Sequence, residues 1–474
     1  MTGRMKKIWF SIAVFCMLFL CSGDHQEKIE EAGVTIVYER NTDLSNLSIR
    51  ETIVTTEIEN SIETSMIEKE TQTETVECST VVADKSISEQ STEATAELQL
   101  EQYLSQMTTE EKVAQLFIIL PEVFSSSGNV TAVDEAMRQH IAEIPVGGFI
   151  FMEPNLVSTE QTEHLLADIQ KAMAERTGLP ALLCVDEEGG GVARIAGNAN
   201  FGVANVGNMS DIGATMNPQN AYEAGATIGQ YLSQLGFNVD FAPVADVWSN
   251  PANQVVQYRS FGADASLVSD MCAAFTRGLQ ERNVYAVWKH FPGHGATEAD
   301  THQGYAYINK TLQELQLCEL LPFQRGIRER ISFIMAGHIS VPEVTGDQMP
   351  ASLSGVMLSQ ILREQMGYEG VIVTDAMNMG AVVQNFNSRD AAVQAVLAGA
   401  DIILMPADFY SAYQGVLDAV QNGQITVERL DESVRRIVMK KLEIKQGEMI
   451  DAGKYTEDYY GTRMLESVDC GEYE

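Results

Sequence analysis

The chain has 474 residues, 45% of them apolar, and 31 Lys+Arg stand against 66 Asp+Glu for a formal net charge of −35. At roughly 100–200 residues per domain this length allows two or three ordinary domains or one large barrel, and the apolar fraction supports a sizeable core. The acidic balance argues against a nucleic-acid-binding protein, whose phosphate contacts need a Lys/Arg surplus, and against a polybasic membrane patch; the seven scattered cysteines argue against a disulfide scaffold.

Residues 1–23 read as a secretory or lipoprotein signal. Arg4, Lys6 and Lys7 precede an apolar run from Ile8 to Cys21 that falls short of the roughly 20 residues needed to span a bilayer. The protein is therefore expected to be exported, extracellular or attached to the outer face of a bacterial membrane. Cys21 resembles the lipid-attachment cysteine of bacterial lipoproteins, although Leu20 stands where those motifs carry a small residue. Lipidation, plain cleavage and retention as an uncleaved anchor are all open readings. Membrane contact is expected only through this anchor.

Residues 24–97 are rich in Glu, Thr and Ser, contain no proline and a single aromatic, Tyr38, and carry 18 acids against 5 bases. Too little apolar surface and too much like charge predict a disordered, self-repelling linker. Val34–Tyr38 has some strand character.

From 98 to 445 strand-like runs alternate with helical patterns. The strands are expected at 116–120, 148–152, 181–186, 239–243, 285–289, 333–338, 371–375 and 402–405, with helices among them at 159–176, 220–235, 265–282, 312–328 and 390–398. This alternation predicts an α/β fold with a parallel sheet, and eight units suggest a single (β/α)8 TIM-type barrel. A doubly wound open sheet is the alternative, weakened because no Gly-x-Gly-x-x-Gly follows the first strand. A last helix at 430–444, with Leu430, Val434, Ile437, Val438 and Leu442 at helical spacing, would close the barrel. Residues 446–474 are a short acidic extension.

In such a barrel, reactive groups sit at the C-terminal ends of strands and in the loops that follow. The densest cluster is Lys289-His290-Phe291-Pro292-Gly293-His294-Gly295 with Asp300-Thr301-His302. An apolar strand that runs into Lys-His must pair or desolvate both. Pro292, Gly293 and Gly295 predict a non-helical loop. Asp300 and His302, two apart, share a face of an extended segment, and the acid can orient the imidazole. A lone histidine would usually just bond backbone; the clustering reverses that expectation. The β-branched run Val371-Ile372-Val373-Thr374 ends in Asp375, a carboxylate aimed at the top of the barrel, with a helix N-cap as the plainer reading. Asp186 ends another strand and opens Asp186-Glu187-Glu188-Gly189-Gly190-Gly191, with Arg194 beyond. Acids beside glycines suit a hydroxyl-rich ligand better than a phosphate, and a plain glycine turn is the alternative. Arg259 lies in a loop after Asp246. Asn238, Asp240 and Asp246 are expected to serve barrel structure and support on the substrate side.

Together these motifs resemble glycoside hydrolase family 3, in its N-acetyl-β-glucosaminidase (β-N-acetylhexosaminidase) branch. The resemblance runs from Met107-Thr108-Thr109-Glu110-Glu111-Lys112 to about Lys445, and Lys-His-Phe-Pro-Gly-His-Gly followed by Asp-x-His is its most specific part. It implies a retaining glycosidase releasing terminal β-linked N-acetylglucosamine from peptidoglycan fragments or chitooligosaccharides. Asp375 would be the nucleophile, His302 the general acid/base and Asp300 its orienting partner. Asp186, Arg194, Arg259, Lys289 and His290 would bind the sugar. No cofactor or metal is implied, and the protein is expected to be a monomer whose partner is a carbohydrate. Two departures bear on substrate preference: Gly191 stands at a family Arg position, and Val256-Gln257 replaces a usual Ile-Gly before Arg259. Competing readings are a metal-dependent barrel hydrolase using His290, His294, His302, His338 and Asp375, a phosphorolytic enzyme of the same family, and a non-catalytic wall-binding protein.

Overall fold

The structure is a computed structural model and describes residues 27–31, 34–38, 53–55, 97–298 and 306–447. The signal segment, most of the linker, the C-terminal extension beyond 447, and Asp300 and His302 lie outside the described residues. The chain divides into two units, 1–79 and 80–474.

The smaller unit carries three short strands within the segment expected to be a linker. Glu27–Glu31 pairs antiparallel with Val34–Tyr38, which pairs antiparallel with Ile53–Thr55. Val34-Thr35-Ile36-Val37-Tyr38 is dense in β-branched and aromatic residues, the composition that favours a pleated strand.

In the larger unit all eight expected strands are present: β1 (Phe117–Ile119), β2 (Gly148–Ile150), β3 (Leu182–Val185), β4 (Val239–Asp240), β5 (Tyr285–Phe291), β6 (Phe333–Ala336), β7 (Val371–Thr374) and β8 (Ile403–Leu404). From β1 to β7 each pairs in parallel with its neighbour in sequence, and β8 pairs in parallel with β1. A parallel bridge between Val373 and Ile402 joins β7 to the start of β8 and brings the ring round. A doubly wound sheet would reverse strand order partway across, and this one does not.

The helices outside the strands include α1 (Glu135–Glu143), α2 (Thr159–Thr177), α3 (Pro218–Leu235), α4 (Ala265–Gln280), α5 (Leu321–Arg328), α6 (Val356–Gln365), α7 (Ser388–Ala398), α8 (Phe409–Gln421) and α9 (Val427–Gln446). Their ends follow local chemistry. Ser158 caps α2 by accepting the Gln161 N–H, and Gly178 ends it in the left-handed region. Thr426 and Gly447 do the same for α9. The helix expected over 312–328 is two, Leu312–Gln316 and α5, because Pro322 is tolerated only in a first turn and so marks a new start. The sequence pattern did not show α1, α6 or α8. In α6 the hydrogen bonding widens, Met366 N–H reaching Ile361 C=O, and such turns blur a 3.6-residue period.

Side-chain alternation along the strands builds the interior. Leu182 and Cys184 of β3, Tyr285 and Val287 of β5, Phe333 and Met335 of β6, and Val371 and Val373 of β7 form one buried cluster with Ile118, Ile150, Val239 and Phe241. The intervening residues Leu183, Ala286, Trp288, Ile334 and Ile372 pack in the outer layer. With a period of two, the next inward positions are Asp186, Lys289 and Asp375. The parity that fills the barrel with apolar groups thus delivers three charged side chains to its C-terminal mouth.

α9 closes the opposite end, as expected. Ile437 joins the interior cluster, and the buried Asp401 before β8 is held by Arg363, Arg436 and Ser433. Lys441 is fully buried, its amine donating to Gln115 Oε1 at 2.6 Å. Burial pushes this amine down to about 7, against about 10.4 for a free lysine. Between those values the unfolded chain binds more protons than the folded one, so stability rises with pH across that window and is lost as pH falls toward 7. Thermal melts from about pH 7 to about pH 10 should show this rise in the wild type and not in Lys441→Met; identical pH slopes in the two proteins would contradict it.

Candidate active site

The mouth of the barrel holds a buried ion network. Lys289 Nζ lies 2.8 Å from Asp186 Oδ1 and 2.7 Å from Glu188 Oε1. Arg259 clamps Glu188 through both carboxylate oxygens, Nε to Oε2 at 2.7 Å and Nη2 to Oε1 at 2.8 Å. Lys289 and Glu188 are almost wholly buried, while Asp186 and Arg259 keep about a fifth of their surface. Burial raises the Glu188 carboxyl, but Arg259 and Lys289 more than offset it and hold the group far below the usual carboxylate range. Burial likewise lowers the Lys289 amine, and Asp186 and Glu188 reverse the shift.

Glu187 explains how this pair of acids is set. It is fully buried and faces away from the network, accepting the Ile195 and Ala196 N–H groups and the Tyr231 hydroxyl, each at 2.8 Å. Its own N–H donates to Asp240 Oδ1 at 2.9 Å. The hairpin of Glu187–Gly189 against Val192–Ala193 is pinned from behind, so Asp186 and Glu188 face the mouth. Gly189 and Gly190 turn at positive φ. Gly191 does not: it is exposed, and an added Cβ would meet nothing within 4 Å. Arg194 makes no ion pair among the described residues, and its buried Nε has no partner there.

On β5 the pairing register to β6 shifts between Trp288 and Phe291, which re-aims His290. Its Nδ1 meets Asp246 Oδ2 at 2.7 Å, while Asp246 Oδ1 accepts the N–H groups of His290 and His294 at 3.1 and 2.5 Å. Burial raises the Asp246 carboxyl, yet the two histidines hold it below its ordinary value. The loop beyond Pro292 contains a single helical turn, His294–Ala296, which the expectation of a wholly non-helical loop did not include. Gly295 lets it sit against the β4 loop, since a Cβ there would meet the Val247 carbonyl at 1.9 Å. Asn253 ties the two loops. Its Nδ2 donates to the His294 and Thr297 carbonyls, each at 2.9 Å, and its Oδ1 accepts the Val255 and Val256 N–H groups. Val256 C=O in turn accepts Arg259 N–H at 3.0 Å, so the changed Val256-Gln257 pair still forms the turn that presents Arg259.

Asp375 follows β7, half-buried, with Oδ1 accepting the Ala376 N–H at 2.8 Å. Burial pushes its carboxyl up, but the imidazoles of His290 and His338, the Ala376 N–H and the Lys289 ammonium outweigh it and hold the group below its ordinary value. The mouth therefore offers an ionised carboxylate beside paired cations and anions that can donate to and accept from hydroxyl groups.

Of the expected site residues, Asp186, Lys289 and Arg259 come together in one network, and His290 and Lys289 act electrostatically on Asp375. Arg194 stands in the hairpin without an ionic partner among the described residues. Asp300 and His302 are not described. Glu188 was missed as a site residue, although it lies two residues past Asp186 and shares its parity. Asp246 was assigned to support and proves to orient His290. Asn253 carried no signal in its own neighbourhood. Of the ligand set of the metal-dependent reading, His338 has both ring nitrogens engaged, by Ser352 Oγ and the Ala376 carbonyl, His290 Nδ1 meets Asp246, and His302 is not described. Among the described residues no three His, Cys, Asp or Glu side chains form a group fit to hold a metal ion.

Fold and site define a class: a (β/α)8 barrel whose mouth is furnished for a polar, hydroxyl-rich ligand. The chain belongs to glycosyl hydrolase family 3; residues 108–439 match the model of that family's N-terminal domain. It is 34% identical over 341 residues to Beta-hexosaminidase A of Pseudoalteromonas piscicida, covering 67% of this chain and 56% of that protein. It is 31% identical over 294 residues to a Beta-hexosaminidase of Idiomarina loihiensis, covering 61% of this chain and 84% of that one. Among solved structures, a family 3 beta-N-acetylglucosaminidase from Paenibacillus sp. superposes with a TM-score of 0.67 at 36% identity, over 72% of this chain and 63% of that one. The chain thus spans little more than half the length of the first of these relatives.

Proposed function

We propose that this protein is a retaining glycosidase that removes terminal β-linked N-acetylglucosamine from chitooligosaccharides or cell-wall fragments. The observation that carries the reading is the ionised Asp375 at the inward end of β7, electrostatically coupled to His290 and Lys289 of the buried site. The names of the relatives support the sugar.

In this mechanism Asp375 attacks the anomeric carbon and forms a glycosyl ester as the leaving oxygen takes a proton; water then attacks that ester, giving up its proton to the same acid/base. His302 serves as this acid/base and Asp300 orients it. An imidazole, with an unperturbed pKa near 6.5, can donate and accept near neutrality and adds no negative charge beside the glycosyl-enzyme. Asp186, Arg194, Arg259, Lys289 and His290 bind the terminal sugar and its acetamido group. The Lys289–Asp186–Glu188–Arg259 network supports that role, because its cations are already desolvated and oriented before the sugar arrives. Gly191 leaves the hairpin tip open and uncharged, which favours a neutral aglycone over an anionic muropeptide. No cofactor takes part. The chain acts as an exported monomer, tethered or released according to the fate of residues 1–23, with the barrel of 98–445 as its catalytic domain.

Turnover of a chromogenic β-N-acetylglucosaminide, with and without inorganic phosphate, tests the reading. Phosphate-independent release with retained configuration is expected. Stimulation by phosphate with glycosyl phosphate as product would make the enzyme a phosphorylase. His302→Ala should cost about 10²–10⁴-fold in kcat and less with an activated phenolate leaving group. Chelator-sensitive activity would restore the metal-dependent reading.

A further inference from the structure

Asp375 does not set its own geometry. Its Oδ1 is held by the N–H of the next residue, Ala376, at 2.8 Å, so the carboxylate plane follows the orientation of that residue. Ala376 is held in turn from its other side. Its carbonyl faces His338 Nε2 at 3.0 Å, and a carbonyl oxygen can only accept, so Nε2 carries a proton whatever the charge on the ring. At the other nitrogen, Nδ1 lies 2.7 Å from Ser352 Oγ. His338 and Ser352 are both fully buried. Their backbones are also tied: Gly337 N–H donates to the Phe291 carbonyl at 2.9 Å, and Ser352 N–H to the Gly337 carbonyl at 3.2 Å. The imidazole thus sits on a rigid ledge past the end of β6. A buried imidazole satisfied at both nitrogens costs desolvation and side-chain entropy that an apolar residue would avoid. What it provides here is a donor aimed at the backbone of the residue next to Asp375.

We propose that His338 is a positioning residue for Asp375: held by Ser352, it fixes the Ala376 carbonyl and so the N–H that orients the carboxylate. This rests on the reading of Asp375 as nucleophile. The geometry leaves Oδ1 occupied and Oδ2 without a hydrogen-bond partner among the described residues, the division of labour a nucleophilic carboxylate needs. Releasing Ala376 lets the carboxylate rotate, and the cost falls on attack at the anomeric carbon rather than on sugar binding.

His338→Met removes the donor at similar volume, His338→Gln returns an N–H near the Nε2 position, and Ser352→Ala frees the ring without touching the donor. With a chromogenic β-N-acetylglucosaminide, kcat of His338→Met should fall about 100-fold while KM stays within about threefold, and His338→Gln should regain about tenfold. Ser352→Ala should fall between wild type and His338→Met. Covalent labelling of Asp375 by a fluorinated N-acetylglucosaminyl trapping reagent, followed by mass spectrometry, should slow in parallel with kcat. A wild-type labelling rate in His338→Met, or equal losses in the Met and Gln variants, would overturn the proposal while leaving Asp375 as nucleophile. A wild-type protein that neither turns over nor labels at Asp375 would sink both.

Discussion

Asp375→Ala should lose turnover of a chromogenic β-N-acetylglucosaminide by about 10⁴-fold or more with its circular dichroism unchanged, because in the proposed mechanism the group removed is the one that bonds to the sugar. The position tolerates truncation: Asp375 lies past the end of β7, half-buried, and the only hydrogen bond of its side chain among the described residues is from the adjacent Ala376 N–H. Added formate or azide, small anions able to enter the vacated space, should restore part of the rate. The wild-type pH profile carries a related expectation. Asp375 is held below its ordinary value by His290, His338, the Ala376 N–H and Lys289 against the opposing effect of burial. It therefore stays ionised above about pH 4, so a loss of activity between about pH 7 and about pH 5 belongs to another group than Asp375. Full activity in Asp375→Ala would refute the assignment outright.

The second large effect is expected at Glu188, a residue that need not touch substrate at all. Glu188→Gln leaves Lys289 and Arg259 facing a neutral amide, one of whose N–H groups must point at a cation. Removing one member of a buried charge network costs about 3–5 kcal/mol, since the uncompensated charges stay buried. Glu188 is nearly wholly buried, its carboxyl held far below the usual range by Arg259 and Lys289. A depressed carboxyl contributes stability that is present above its unfolded value of about 4.3 and is lost as pH falls through the folded one. The variant should therefore melt lower at neutral pH and lose that acid dependence. Both cations also lose their fixed aim, so kcat/KM should drop by about 100-fold. The defect should be insensitive to salt, which screens exposed pairs far more than buried ones. Denaturant titration at neutral and acid pH, with kinetics at low and high salt, checks each part. A variant of wild-type stability would show that the Glu188 charge adds nothing to the network it sits in.

The strands and the charged residues that end them were legible for the same reason. Continuous β-branched and apolar runs such as Val371–Thr374 mark strands buried on both faces, and eight of them alternating with helical segments leave few topologies. The charge that ends a run then marks the mouth, as with Asp186, Lys289 and Asp375. Helices were less legible where their period was disturbed, as in α6 with its widened turns and at Pro322, where one expected helix became two. In the linker the strand character of Val34–Tyr38 was visible but outweighed, because composition averages dilute a five-residue strand signal.

What the sequence by itself determined is which residues are charged at strand ends and which parity they share, because a period of two ties each position to the apolar ones before it. It could not say which charges meet. Glu188 bridging Lys289 and Arg259, Asp246 turning His290, Asn253 joining two loops and His338 reaching Ala376 all link residues separated by 38 to 101 positions or share partners across such gaps. Those pairings depend on how eight strands are staggered around a ring, on the register shift in β5 and on the hairpin pinned by Glu187. A local pattern carries no record of them: the hydrogen bond that orients a group at the mouth is supplied by whichever strand the barrel places beside it.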